Sequence, residues 1–201
     1  GSDRMAGAFS DIMVGADGAL YIADWYDPMV GGHGAADKQH IGKIYRIAPK
    51  GFKPKKAESE NAEELLASPA HNVRFQGFEK LRSGGASSLP LIKKLLNCDT
   101  SWLVGRAIWV LPYLGEQGIA KLKNIPSTIG QKDYRYRAAV LRSAIRYDRE
   151  KLGWSMMEEL RNDKSAHVRR IILTHLRDFP YSKKKSVLLD LVLSGDMKDR
   201  T

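Results

Sequence analysis

Beyond residue 70 an arginine recurs at intervals of 32, 31 and 32 residues, at Arg74, Arg106, Arg137 and Arg169. It closes four comparable segments: His71-Asn72-Val73-Arg74, Leu103-Val104-Gly105-Arg106, Tyr134-Arg135-Tyr136-Arg137 and Ala166-His167-Val168-Arg169. Apolar residues follow at helical spacing, as in Phe75, Phe78 and Leu81 or Ile172, Leu173 and Leu176. A second apolar segment comes after each, over 89–96, 119–122, 152–160 and 187–192. A fixed period of this kind means stacked helix pairs, and no pair can bury its apolar face without a neighbour. The spacing therefore predicts a mainly α protein, a right-handed α-α superhelix of four HEAT-like pairs with an ARM-type fold.

Carboxylates and hydroxyls precede several of the first helices, at Ser68-Pro69, Asp99-Thr100-Ser101, Asp133, and Asp163 with Ser165. There they can accept bonds from free N–H groups and complement the helix dipole. The repeated arginine is read as a structural residue. Arg74, Arg106, Arg137 and Arg169 would lie along the seam between repeats, each pairing with a neighbouring acid or carbonyl, and ligand contact is the competing role.

The first 50 residues have a different period. Ile12-Met13-Val14 and Ala19-Leu20-Tyr21-Ile22-Ala23 flank an Asp17-Gly18 turn signal, and Lys43-Ile44-Tyr45-Arg46-Ile47 alternates with period two. Three short strands make a small antiparallel element equivalent to one blade of a β-propeller, which needs roughly 4–8 blades to close. The expected organisation is a blade fragment over 1–50, a linker over 51–57 and helical repeats over 58–201. The chain opens on Gly1-Ser2, which reads as a cloning remnant, and the whole reads as a piece of a larger protein. Such a blade has lost an apolar partner. It is expected to dock on the first helical repeat through Tyr45 and Ile47, or else to pair with a second molecule.

The net charge of +10 is uneven: residues 1–50 hold five Lys/Arg and six Asp/Glu, and the remainder holds 28 and 17. A basic helical half suits an acidic partner, nucleic acid included, and equally suits an array that covers its outer faces with Lys and Arg. No stretch approaches the roughly 18 apolar residues of a membrane span. The single cysteine, Cys98, excludes an internal disulfide and a Cys-based metal site, and is read as a small buried helix residue.

Site-like residues crowd only between Asp24 and His40, where Asp24, Asp27, His33, Asp37 and His40 surround a glycine-rich loop. Imidazole with carboxylate can bind a transition metal, making Asp24, His33, Asp37 and His40 candidate ligands. Their spacing matches no diagnostic metal pattern, and Asp and His also serve local backbone bonding in loops. His71 and His167 occupy equivalent repeat positions and read as repeat-building, and His175 as a packed or surface residue. Trp102, Trp109, Trp154, Tyr113, Tyr134 and Tyr136 read as core and seam filling. No phosphate-binding glycine loop is present.

The run Asp17-Gly18-Ala19-Leu20-Tyr21 through Asp24-Trp25-Tyr26-Asp27-Pro28, then Gly32-His33 and Gly42-Lys43-Ile44-Tyr45-Arg46-Ile47, resembles the last propeller blade of a family of large membrane-bound dehydrogenases from planctomycetes, verrucomicrobia and Bacteroidetes. In that family a quinoprotein-dehydrogenase-like propeller continues into HEAT repeats and usually ends in a c-type cytochrome domain. The resemblance implies a periplasmic or membrane-associated parent that uses quinone and haem c to oxidise a sugar or alcohol. This chain has no Cys-x-x-Cys-His motif and one blade, so it is expected to hold no cofactor and no complete active site. The implied function is a non-catalytic HEAT-repeat scaffold that links the propeller to an electron-transfer domain, its partners being the other domains of the parent. The alternative is a nucleic-acid-binding repeat protein with a basic concave face.

Overall fold

The structure, a computed structural model, describes residues 8–25, 42–54 and 60–194. It is mainly helical, with a small three-stranded antiparallel sheet at the N-terminal side. The chain divides into two compact units, 1–80 and 81–201.

In the first unit, β1 (Ala8–Val14), β2 (Leu20–Trp25) and β3 (Lys43–Ile47) pair in the order β1-β2-β3. The Asp-Gly signal forms the β1–β2 turn. Gly15 N donates to Ala19 O at 2.8 Å, and Gly18 has φ 87°, a left-handed conformation natural to glycine. Asp17 anchors this turn by accepting from Ala19 N, Tyr21 Oη and Arg46 Nε. Hydrogen bonding from Arg46 holds the Asp17 carboxyl below its ordinary range. Arg46 also lies 5.7 Å over the Phe52 ring.

Residues paired across strands share a face. Ile12, Ile22 and Tyr45 therefore stand together, beside Val14, Leu20 and Ile47. Helices α1 (Ala62–Ala67) and α2 (His71–Ser83) meet the sheet at one corner of this face, where Val14 and Ala16 pack on Leu65, Ala70 and Val73. The expected docking through Tyr45 and Ile47 is thus corrected: both stay exposed, Ile47 by 50%. Strand alternation identifies an apolar face but not the part of it that a helix reaches.

The second unit contains α3 (Leu89–Leu96), α4 (Ser101–Val110), α5 (Gly115–Asn124), α6 (Tyr134–Tyr147), α7 (Trp154–Leu160), α8 (Ala166–Leu176) and α9 (Tyr181–Ser194). Arg106, Arg137 and Arg169 fall on alternate helices α4, α6 and α8, as Arg74 falls on α2. α6 packs between α4 and α8, each presenting an apolar stripe with fully buried Ile108, Leu141 and Ile172. Asp133 caps α6 as expected from sequence, accepting from Arg135 N at 2.8 Å. Cys98 differs from its expected setting: it is half-buried in the turn after α3.

Two local features depart from plain helical periodicity. Between α6 and α7, Gly153 N donates to Asp148 O at 2.7 Å, a five-residue span that widens the turn at Arg149–Gly153. In α5, Gly118 sits where an added Cβ would lie 2.2 Å from Leu111 O and 2.8 Å from Leu114 Cβ. The α4–α5 corner therefore closes only over glycine. By contrast, a Cβ on Gly105 of α4 meets nothing within 4 Å.

Gly118→Ala should destabilise the protein by about 1–3 kcal/mol through overpacking. Gly105→Ala should leave stability unchanged or raise it by up to about 1 kcal/mol through helix propensity. Urea denaturation of the two variants checks the contrast, and equal midpoints would refute the tight corner.

Candidate functional site

The repeat arginines share a position but not a role. Arg137 donates from Nε and Nη2 to both carboxylate oxygens of Asp163, and from Nη1 to the Gly130 carbonyl. Asp163 is 3% exposed at its side chain and also accepts from Ser165 N at 2.8 Å. Arg169 donates to the carbonyls of Asp163 at 2.8 Å and Lys164 at 3.2 Å. The turn between α7 and α8 is thereby tied to α6 by Arg137 and to its own helix by Arg169. Hydrogen bonding to Asp163 outweighs burial and pushes the Arg137 pKa up. Arg106 instead lies 4.4 Å over the Trp102 ring, and Arg74 is half-buried in the first turn of α2.

α4, α6 and α8 together hold seven arginines and no Asp or Glu. Their outward residues fall into stripes: Trp102, Arg106 and Trp109 at i, i+4 and i+7 on α4, and Arg135, Arg142 and Arg146 on α6. Local partners engage some of these charges. Arg135 clasps Asp133 at 2.7 Å, which holds the Asp133 carboxyl below its ordinary range, and Arg142 approaches His167 at 3.4 Å. His167 in turn packs edge-on against Tyr134, with ring centroids 5.8 Å apart.

The stripes converge at an open cleft of about 580 Å³. Trp109 comes from α4, Arg142, Ile145 and Arg146 from α6, and His175 from α8. Arg149 and Asp178 lie at its rim, paired with each other at 3.1 Å. Arg146 and the His175 ring have no hydrogen-bond or ion-pair partner among the described residues. The cleft thus offers cationic donors beside two apolar side chains, Trp109 and Ile145, an arrangement that can bind an anion carrying an apolar group.

Of the candidate metal ligands, His33, Asp37 and His40 lie outside the described residues, as does Asp27. Asp24 lies in β2, where Oδ2 accepts from Tyr45 Oη at 3.4 Å and Oδ1 is buried without a hydrogen-bond partner among the described residues. Its side chain reaches across to β3. No group of three His, Cys, Asp or Glu side chains among the described residues could hold a metal ion. No described helix is long and apolar enough to cross a membrane.

The aromatic residues divide between core and surface. Trp154 fills a seam against Phe179 at 5.0 Å, and Tyr113 packs on Tyr147 at 5.1 Å. Trp102, 52% exposed, and Tyr134 are surface residues, against the expectation of core filling. His71 starts α2 in an exposed position. The cleft members Trp109, Arg142, Arg146 and His175 were not grouped by sequence reasoning. The i, i+4 pair Arg142 and Arg146 was the one local signal for it. No known protein family, curated protein or solved structure matches the chain.

Arg137→Ala should cost about 3–5 kcal/mol, because it strands a buried carboxylate. Arg106→Ala, which removes a cation–π contact at an exposed ring, should cost about 0.5–1 kcal/mol. Denaturation midpoints measure both, and equal losses would contradict the division of roles.

Proposed function

We propose that the chain is a non-catalytic scaffold segment of a larger protein, its paired helices building a HEAT-like superhelix that joins a propeller to an electron-transfer domain. The observation that carries this reading is uncovered apolar surface at two places. On one face of the sheet, Ile12 is 60% and Ile47 50% exposed; on α9, Val192 is 66% and Leu193 83% exposed. Clustered apolar side chains of this size mark surfaces that another body covers. The neighbouring blade of a propeller would cover the sheet, and a following helix or domain would cover α9. The dehydrogenase-like resemblance of residues 17–47 supplies the identity of those neighbours, with quinone and haem c belonging to other parts of the parent.

A second reading, binding of nucleic acid, draws on the acid-free arginine row of α4, α6 and α8. It is the weaker one, because Arg135, Arg137 and Arg169 are already engaged by Asp133, Asp163 and loop carbonyls. A phosphate track needs its cations free along its length.

Without its neighbours the chain should self-associate through the uncovered faces. Sedimentation should show the average mass rising with concentration, and Ile12→Lys/Ile47→Lys and Val192→Lys/Leu193→Lys should each lower it. A wild-type chain that stays monomeric at high concentration would count against the scaffold reading. Quinone-dependent dye reduction by the chain alone would overturn its non-catalytic part.

A further inference from the structure

The cleft on the first-helix row has a composition of its own. Arg142 and Arg146 are one turn apart on α6, so their side chains are neighbours on one helix face. Neither has a carboxylate partner among the described residues; Arg142 meets only the His167 ring, and Arg146 meets nothing. Two adjacent guanidinium groups repel unless an anion sits between or beside them. Two apolar residues line the cleft beside them, Trp109 of α4, half-buried, and Ile145 of α6, buried. Asp178, also at the cleft, is neutralised by Arg149 on Oδ2 at 3.1 Å and Arg177 on Oδ1 at 3.4 Å.

These groups point to one ligand chemistry. The guanidinium pair suits a carboxylate, and Trp109 with Ile145 suits an apolar side chain beside it. A volume of about 580 Å³ is that of a ligand or short peptide site. A nucleic-acid strand fits less well, since Arg135, Arg137 and Arg169 of the same helices are held by internal partners and give no continuous row of free cations. We infer that the cleft between α4, α6 and α8 is a docking site for an acidic peptide segment with an apolar side chain, presented by a partner protein. The inference rests on the scaffold reading only in taking a protein as the partner.

The test is fluorescence anisotropy of the full chain with a labelled peptide alternating Glu and Phe. A peptide with Gln for Glu and a single-stranded oligodeoxythymidine of similar length serve as competing probes. The Glu-Phe peptide should bind, and the Gln peptide should not. Arg142→Gln/Arg146→Gln should weaken binding by about tenfold or more, the loss expected for charge-assisted hydrogen bonds. The charge-matched Lys93→Gln/Lys94→Gln variant on α3 should bind like wild type. In the unaltered protein, the Trp109 indole and His175 ring resonances should shift on peptide addition, a readout independent of how the variants fold. Equal loss in both double variants would show diffuse charge attraction and overturn the site. So would absence of peptide binding, or cleft-dependent binding of the oligonucleotide in preference to the peptide. None of these failures bears on self-association through the apolar faces, so the scaffold reading is judged separately.

Discussion

The buried ion pair between Arg137 and Asp163 is the interaction on which the order of the second unit depends. A carboxylate taken almost wholly out of water is tolerable only when each of its oxygens is matched, and here the matching groups come from two elements. One is the guanidinium on α6; the other is the backbone at the start of α8. The pair therefore fixes the distance and rotation between two successive arginine-bearing helices, which apolar packing alone would leave free to slide. Gly130, before α6, is drawn into the same knot through its carbonyl.

Because that knot holds α6 against α8, the outward stripes of both helices are placed without further help. Arg142 and Arg146, which are not engaged in holding the fold, lie where α4, α6 and α8 come together and line the cleft. Structure and recognition thus draw on the same residue type in the same helices. Burial and the reach of a neighbouring acid separate the two uses. Arg137 has Asp163 within reach; Arg146, two and a half turns further along α6, has no acidic partner among the described residues.

The helices and their alternation could be read from sequence because the signals are local and repeated. The arginine spacing, the apolar residues behind it and the Asp133 cap each act within a few residues of chain. The Asp-Gly turn between the first strands was legible for the same reason. The partner of Arg137 was not, since Asp163 lies 26 residues away and serves equally well as a helix-start residue. The cleft was hidden more deeply: Trp109 and His175 belong to helices two repeats apart, and nothing local links them. Trp102 and Tyr134 show the limit of aromatic spacing as a guide. Helical periodicity says that a ring lies on a stripe, but only the packing says whether that stripe faces inward.

The widened turn at Arg149–Gly153 decides where the second helix of its pair begins. Asp148 has extended backbone, with φ −151° and ψ 94°, so α6 ends there and α7 takes no helical phase from it. The same residue opens the new helix: its side chain accepts from Lys151 N at 3.0 Å and its carbonyl from Gly153 N at 2.7 Å. A Cβ added to Gly153 would lie 2.9 Å from Ile145 Cα, so the wide turn comes down on α6 only where the chain carries no side chain. One aspartate thus serves as a hinge pin, stopping the first helix and starting the second.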